Sequence, residues 1–195
     1  LYSNTTGANN VAMGYASLIY NTTGTNNVGI GHQALYLNTT ASHATAVGYQ
    51  AMYSNTTGYG TAVGAFALDA NTTGTHNTSI GSSSLSANST GSYNSALGHH
   101  ALASNTTANS NTAVGYQAGF SNTTSSDNTL VGWQAGYYRT GSGNTIVGHY
   151  AGRDGTTGVD NTFIGRNAGY TITTGSNNTI LGMYNGNQGG LDIRT

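Results

Sequence analysis

The side chains that could carry catalysis are few, and the acids are the first to consider. All five acidic residues are aspartates: Asp69, Asp127, Asp154, Asp160 and Asp192. Only Asp127 and Asp160 hold equivalent positions in the repeat described below, and they lie two repeats apart, roughly 10 Å by strand spacing. A glycosidase needs two carboxyl groups flanking one bond, and this pair does not make a convincing one. We therefore predict that the protein is not an enzyme.

The chain has no cysteine, which excludes thiolate metal sites, so the histidines are the next metal ligands to consider. The neighbouring His99 and His100 would point to opposite sides of a strand, which is a poor arrangement for chelating one ion. The calcium-binding Gly-Gly-x-Gly-x-Asp repeat is absent from the sequence. We predict no metal and no cofactor, and we interpret the histidines as polar surface residues. The six histidines are His32, His43, His76, His99, His100 and His149.

Asn-Thr-Thr and Asn-Ser-Thr triplets recur along the chain and match the acceptor pattern for N-glycosylation. Asparagine and threonine also bond to their own backbone in turns, which explains the triplets without a sugar. We favour structural turns, with glycosylation as the open alternative. These residues, called here the turn asparagines, are Asn4, Asn21, Asn38, Asn55, Asn71, Asn88, Asn105 and Asn122. Asn77 and Asn177 are two further matches.

Aromatic residues gather beside an arginine in the later part of the chain, where one Asn-Thr-Thr turn is lost. The group consists of Trp133, Tyr137, Tyr138 and Arg139. Exposed aromatic rings with arginine are typical contacts for partners, so we predict that these four residues form a surface contact for a sugar or a protein. Ordinary packing along the side of the repeat is the favoured alternative.

Charge argues against two classes of partner. Only 5% of the residues are charged, the net charge is −1, and no basic stripe is present. Binding to phosphate backbones depends on such a stripe, so we expect no nucleic-acid partner. The sequence also lacks a run of about 18 apolar residues, so we expect no insertion into a membrane.

A short repeat organises the whole chain. A glycine that closes each phrase of the type Ala-Val-Gly recurs every 17 residues, with two steps of 16. These anchor glycines are Gly14, Gly31, Gly48, Gly64, Gly81, Gly98, Gly115, Gly132, Gly148, Gly165 and Gly182. Each anchor glycine is the residue at which we expect a positive φ or a close approach of backbones. A fixed short period of this kind is typical of a solenoid.

The three residues that directly precede each anchor glycine form the predicted strand. The residue directly before it forms the aliphatic column: Met13, Ile30, Val47, Val63, Ile80, Leu97, Val114, Val131, Val147, Ile164 and Leu181. The residue three before it forms the threonine column: Val11, Val28, Thr45, Thr61, Thr78, Ser95, Thr112, Thr129, Thr145, Thr162 and Thr179. These two positions share one face of a strand. The residue between them, two before each anchor glycine, forms the strand column.

Two columns exchange bulk near the middle of the chain. The corner column, four residues after each anchor, holds Leu18, Leu35, Met52, Leu68, Leu85 and Leu102, and then Gly119, Gly136, Gly152, Gly169 and Gly186. The strand column, two before each anchor, holds small residues up to Ala113 and then Leu130, Ile146, Phe163 and Ile180. The exchange suggests that both columns fill one space of constant volume, with random drift as the alternative. We predict sub-regions 1–110 and 111–195 within a single array.

These patterns predict an all-β protein. Each unit should contain a strand at "NTAVG", a corner, a second short strand at "YQALYS" and a turn at "NTTG". We expect one parallel β-solenoid or β-roll over residues 1–195, with about eleven coils of 17 residues. At the spacing of paired strands, the rod would be about 50 Å long.

The phrases "NNVAMG" (9–14), "NNVGIG" and "NTAVG" resemble the head repeats of trimeric autotransporter adhesins, which form a left-handed parallel β-roll of three chains. The fuller phrase "NTAVGYQA…NTTG" is similar to repeat arrays of bacteriophage tail fibres, particularly those of marine and cyanobacterial phages. The ending "GNQGGLDIRT" (186–195) resembles the exit from such an array.

The resemblance implies the structural shaft of a phage tail fibre, located in the virion tail and assembled as a homotrimer. Its partners would be other virion tail proteins and a host cell-surface receptor, with a glycan as one candidate. The first alternative is a bacterial trimeric adhesin head at the cell surface. The second alternative is an ice-binding solenoid, which the threonines from Thr45 to Thr179 suggest.

Overall fold

The computed structural model describes residues 1–186. Its eleven strands form a single sheet in chain order, and no α-helix occurs within these residues. The strands are β1 (Val11–Met13), β2 (Val28–Ile30), β3 (Thr45–Val47), β4 (Gly60–Val63), β5 (Asn77–Ile80), β6 (Ser95–Leu97), β7 (Thr112–Val114), β8 (Thr129–Val131), β9 (Thr145–Val147), β10 (Thr162–Ile164) and β11 (Thr179–Leu181). The predicted end of the array falls, after Gly186, outside the described residues.

Each strand pairs in parallel with the next one, so the chain makes one full coil between consecutive strands. The register joins equivalent residues, for example Ala46 with Ala62 and Val47 with Val63. This pairing crosses one of the 16-residue steps, so the missing residue is absorbed outside the strand. The parallel β-solenoid with about 17 residues per coil, predicted from the repeat, is confirmed.

The second short strand predicted at "YQALYS" is wrong, because this part of each coil is a sequence of turns. Two residues there take left-handed backbone angles, such as Gln50 with φ 52° and Met52 with φ 50°. Alternating left-handed residues curl the chain around a corner while its N–H groups keep pointing along the rod. Met52 N–H accordingly donates to the carbonyl oxygen of Ala67 in the next coil, at 3.0 Å.

The anchor glycines end the strands for two physical reasons. All eleven have φ between +103° and +142°, a region that side-chain-bearing residues rarely adopt. A Cβ atom at Gly98 would also lie 2.7 Å from the carbonyl carbon of Gly115, directly along the rod. The column therefore needs glycine both for its conformation and for the close contact between stacked backbones.

The strand column and the corner column point into the same interior. In an early coil, a Cβ atom at Gly29 would lie 3.2 Å from Cγ of Leu18. In a late coil, a Cβ atom at Gly169 would lie 2.7 Å from the ring of Phe163, which is fully buried. A large side chain in one column thus fills the interior space that a small residue in the other column leaves free.

Backbone conformation adds a second reason for the change from leucine to glycine. The corner-column residues from Leu18 to Leu102 have φ of 48° to 55°. Left-handed angles cost an L-residue roughly 1–2 kcal/mol, whereas glycine adopts them freely. The late coils therefore combine a relaxed corner with a large side chain on the strand.

Asparagine amides satisfy the polar groups of the interior. Asn38 is fully buried; its Nδ2 donates to Oδ1 of Asn21 at 2.8 Å and to the carbonyl oxygen of Ala41 at 3.2 Å. A second row lies just before the strands, where Asn27 accepts from the backbone N–H of Ala44 at 2.9 Å. Because each amide bonds to a residue of the neighbouring coil, these two ladders help to fix the register between coils outside the strands.

The shared interior space can be tested with a double-mutant cycle at Gly169 and Phe163. Gly169→Ala in the parent should destabilise by about 1–3 kcal/mol, because the new methyl group overlaps the buried ring. In a Phe163→Ala background the overlap is gone, so the same change should cost about 0.5–3 kcal/mol less. The measurement is the unfolding free energy of the four proteins in denaturant, and additive effects would show that the two columns face different spaces.

Candidate functional site

The outer face of the sheet is the most extensive exposed apolar feature of the described chain. The strand column points inward, so the aliphatic and threonine columns both point outward. Exposure along the aliphatic column includes Met13 at 64%, Leu97 at 48% and Leu181 at 61%. Six of the eleven members are at least 36% exposed and the other five are partly buried, so a partly exposed apolar ridge runs along the strands. Such a ridge can be stabilised by covering it with another apolar surface.

The threonine column runs parallel to this ridge, two residues away from it along each strand. Its members repeat along the rod at the strand spacing. In the described part of the chain its hydroxyls make no hydrogen bonds, and Thr129 and Thr145 are exposed. The threonines after the turn asparagines behave differently, since Thr22 donates its hydroxyl to the carbonyl oxygen of Thr39 at 3.0 Å. The outer face therefore presents hydroxyls that are free to bond water or a partner.

An aromatic ladder lies at the corner that follows the anchor glycines. Tyr116 stacks on Trp133, with ring centroids 4.2 Å apart and an interplanar angle of 22°. His99 stacks on the other side of Tyr116 at 5.6 Å. The stack ends at Trp133, because His149 in the next coil turns its ring against Tyr150 at 4.1 Å. One face of the half-exposed indole is therefore left without an aromatic neighbour.

Arg153 lies at the centre of a tyrosine cluster at this corner. Its guanidinium carbon is 5.4–5.7 Å from the centroids of four rings, those of Tyr137, Tyr138, Tyr150 and Tyr170. Its Nε donates to Oε1 of Gln134 at 3.1 Å, and its Nη1 donates to Oδ1 of Asp154 at 2.8 Å. The same Nη1 donates to the hydroxyl of Tyr170 at 3.1 Å. We call this surface the aromatic corner: Trp133, Gln134, Tyr137, Tyr138, Tyr150, Arg153, Asp154 and Tyr170.

The prediction that Arg139 belongs to this surface contact is wrong. Its side chain is fully buried inside the coils, whereas Trp133 and Tyr138 are 46% and 44% exposed. Arg139 follows Asn122 in the column of turn asparagines and occupies the interior position of an amide. The arginine that joins the tyrosines is Arg153, and its position in the repeat, which it shares with Tyr137, is the signal that could have found it.

Arg139 ends the ladder of turn asparagines without replacing its hydrogen bonds. Its Nη1 donates to the carbonyl oxygen of Gly158 at 3.1 Å, but Nε and Nη2 have no partner. The side chain occupies space beside Gly155, where a Cβ atom would overlap the guanidinium. Burial lowers the pKa of Arg139 to about 10, since no acid compensates its charge.

The amide nitrogens of the turn asparagines are used inside the coil. Asn55 and Asn88 are fully buried, and Nδ2 of Asn88 donates to Oδ1 of Asn71 at 2.9 Å. A glycan would replace one of these N–H groups and would have to pass through the coil wall. The arrangement favours a structural role for the triplets.

The other chemical candidates do not converge. Within residues 1–186, no group of three His or Asp side chains could hold a metal ion. The prediction that His99 and His100 point to opposite sides of a strand is wrong, because both lie in the turn after β6 and their rings contact edge to face at 4.0 Å. Burial, followed by the charge of His99, lowers the pKa of His100. Gly143 separates Asp127 from Asp160 in their shared column. The described chain also holds no helix with the length and hydropathy needed to cross a bilayer.

Comparison with known proteins adds no relative: no family model, curated protein or solved structure matches the chain.

Arg139→Met is expected to stabilise the protein by about 1–4 kcal/mol, the range seen when buried ionic groups are replaced by apolar side chains of similar size. The cost of the parent's buried charge is fully present below its folded pKa of about 10. It disappears as the pH rises towards the higher pKa of the unfolded chain. The stability gap between variant and parent should therefore narrow above that pH.

The measurement is the denaturant midpoint of both proteins across neutral and alkaline pH. Arg166→Met provides the matched control, because Arg166 is exposed and its loss should change stability by less than about 0.5 kcal/mol. A destabilised Arg139→Met variant would mean that the guanidinium has a compensating partner.

Proposed function

We propose that this chain forms the structural shaft of a bacteriophage tail fibre. In this role it lies in the virion tail, joins other tail proteins, and holds a host-binding element away from the particle. It assembles as a homotrimer whose chains meet through the outer sheet face. The observation that carries the proposal is the aliphatic column, which continues through all eleven described strands and is at least 36% exposed in six of them.

The energetic argument starts from the size of this ridge. Complete burial of one aliphatic side chain contributes about 1.5–3 kcal/mol, and part of that burial is already present in each ridge residue. Covering the ridge would therefore contribute on the order of 10 kcal/mol per chain before the costs of association. That magnitude favours stable association over an isolated rod.

Closure explains why three straight rods suit this surface. Each rod carries one ridge along its length, and cyclic packing of the rods about a common axis covers every ridge in a finite assembly. The number three comes from the resemblance to trimeric fibre and adhesin repeats. Free threonine hydroxyls beside the ridge can bond across the interface or to water at its rim.

A shaft also needs stiffness and chemical inertness. Hydrogen bonds between coils run through the strand, the corner and both asparagine rows, so bending would stretch several ladders together. Arg153 and Asp154 form the one ion pair within residues 1–186, and no metal cluster occurs there. These properties favour mechanical support over chemistry.

Native mass measurement of the purified chain should give the mass of three chains. Leu97→Lys combined with Val114→Lys places charges on the ridge and should dissociate the assembly, because unpaired charges are costly to bury. The matched control is Thr90→Lys with Thr107→Lys, in the same coils but on an exposed turn. A parent that is a well-folded monomer at micromolar concentration would rule out the trimeric shaft.

Ice binding is the second candidate, favoured by the free hydroxyls of the threonine column. Ordered hydroxyls beside aliphatic side chains, repeated at about 4.8 Å, form a regular surface on which water could order. The parent should then show thermal hysteresis, and Thr112→Tyr with Thr129→Tyr should abolish it by breaking the surface. The absence of hysteresis in a folded parent would exclude this function.

A further inference from the structure

We infer that the aromatic corner binds a neutral saccharide, with Trp133 as the stacking platform and Arg153 and Asp154 as the main polar contacts. The inference deepens the proposed function, on which its role in host contact rests. It is carried by three features of the corner: a half-exposed indole that stacks on one side only, polar atoms with unused bonding capacity, and a charge pair that is already balanced.

Trp133 is 46% exposed and, within the described chain, stacks on an aromatic ring on one side only. Tyr116 supports the indole from one side at 4.2 Å, whereas the ring of His149 is turned away on the other side. A pyranose ring has a flat face of C–H groups, which packs well against an indole. Because the indole is already fixed by stacking, binding would cost little side-chain entropy.

The polar atoms of the aromatic corner are oriented but not saturated. Arg153 is held through Nε and Nη1, and its Nη2 makes no hydrogen bond within the described chain. Asp154 accepts on Oδ1 only, and the hydroxyls of Tyr138 and Tyr150 likewise have no protein partner there. Saccharide hydroxyls both donate and accept, so they match this mixture of groups.

Charge and size decide the class of ligand. Arg153 is paired with Asp154 at 2.8 Å, so the corner offers no net charge to attract an acidic ligand. The corner spans three coils, roughly 10–15 Å along the rod at strand spacing. This length suits two or three sugar rings, whereas a stable protein partner would need about 800 Å² on each side.

The chain contains a single tryptophan, so its fluorescence reports on this corner alone. The parent is titrated with maltose, cellobiose, lactose and N,N′-diacetylchitobiose, and with glucuronic acid as the acidic arm. We expect a saturable change in tryptophan emission with at least one neutral disaccharide, and the midpoint of the titration should lie at about 1 mM sugar. No saturable change with any neutral sugar, or a change with glucuronic acid alone, would overturn the inference.

Variants separate the corner from general effects on the rod. Arg153→Ala introduces the residue that stands at the equivalent position as Ala103, and it should weaken binding about tenfold or more. Tyr15→Ala changes an exposed ring in the position equivalent to Trp133 but far along the chain, and it should leave the titration unchanged. Equal binding by the parent and Arg153→Ala would contradict the role of Arg153 as a polar contact for the sugar.

Native mass is measured on the same samples. Loss of the trimer with retained sugar binding contradicts the shaft and leaves the saccharide site standing. A trimer without sugar binding contradicts only the saccharide site.

Discussion

The stacking of equivalent residues, one strand spacing apart, is the constraint on which the rest of this structure depends. Every side of the coil bonds to the next coil, as when Leu18 N–H donates to the carbonyl oxygen of Ala34 at 3.0 Å. Each residue therefore has copies of its own column above and below it, at about 4.8 Å. Glycine backbones, asparagine amides and aromatic rings tolerate or favour such contacts with themselves. Like charges at this distance repel by about 1 kcal/mol even in water, which accounts for a chain with only 5% charged residues.

The same constraint explains which parts of the fold could be predicted from sequence. A period of 17 residues with glycine and β-branched residues in phase is sufficient to predict a parallel solenoid. The strand predicted at the corner is wrong because "YQALYS" alternates like a strand, and its left-handed residues are ordinary ones such as Gln50 and Leu68. The glycines that replace leucine in later coils are the visible signal of that conformation. Volume explains only half of this replacement, and backbone conformation explains the other half.

Arg139 shows the limit of inference from proximity in sequence. It adjoins Tyr138, and an arginine next to an exposed tyrosine suggests a surface contact. In a solenoid, position within the repeat decides burial, and Arg139 holds the position of a buried amide. Its placement also coincides with a 16-residue step, where the turn is one residue shorter and the ladder of turn asparagines stops. The sequence places Gly155 at the equivalent position of the next coil, but only the stacked coils show that the guanidinium fills the space beside this glycine.

The two exposed features of the rod lie on different sides of the anchor glycines, and this separation matters for the proposed assembly. In each repeat, the residue of the aliphatic column directly precedes the anchor glycine, and the position of the aromatic ladder directly follows it. In the proposed trimer the ridges face the common axis, and the aromatic corner is repeated three times around the fibre. A single corner with millimolar affinity would hold a host surface only briefly. In that proposed assembly, three corners on one rod and several fibres on one particle would convert later contacts into intramolecular events and would raise the overall avidity by orders of magnitude. Weak individual sites and a rigid scaffold are therefore compatible parts of one attachment mechanism.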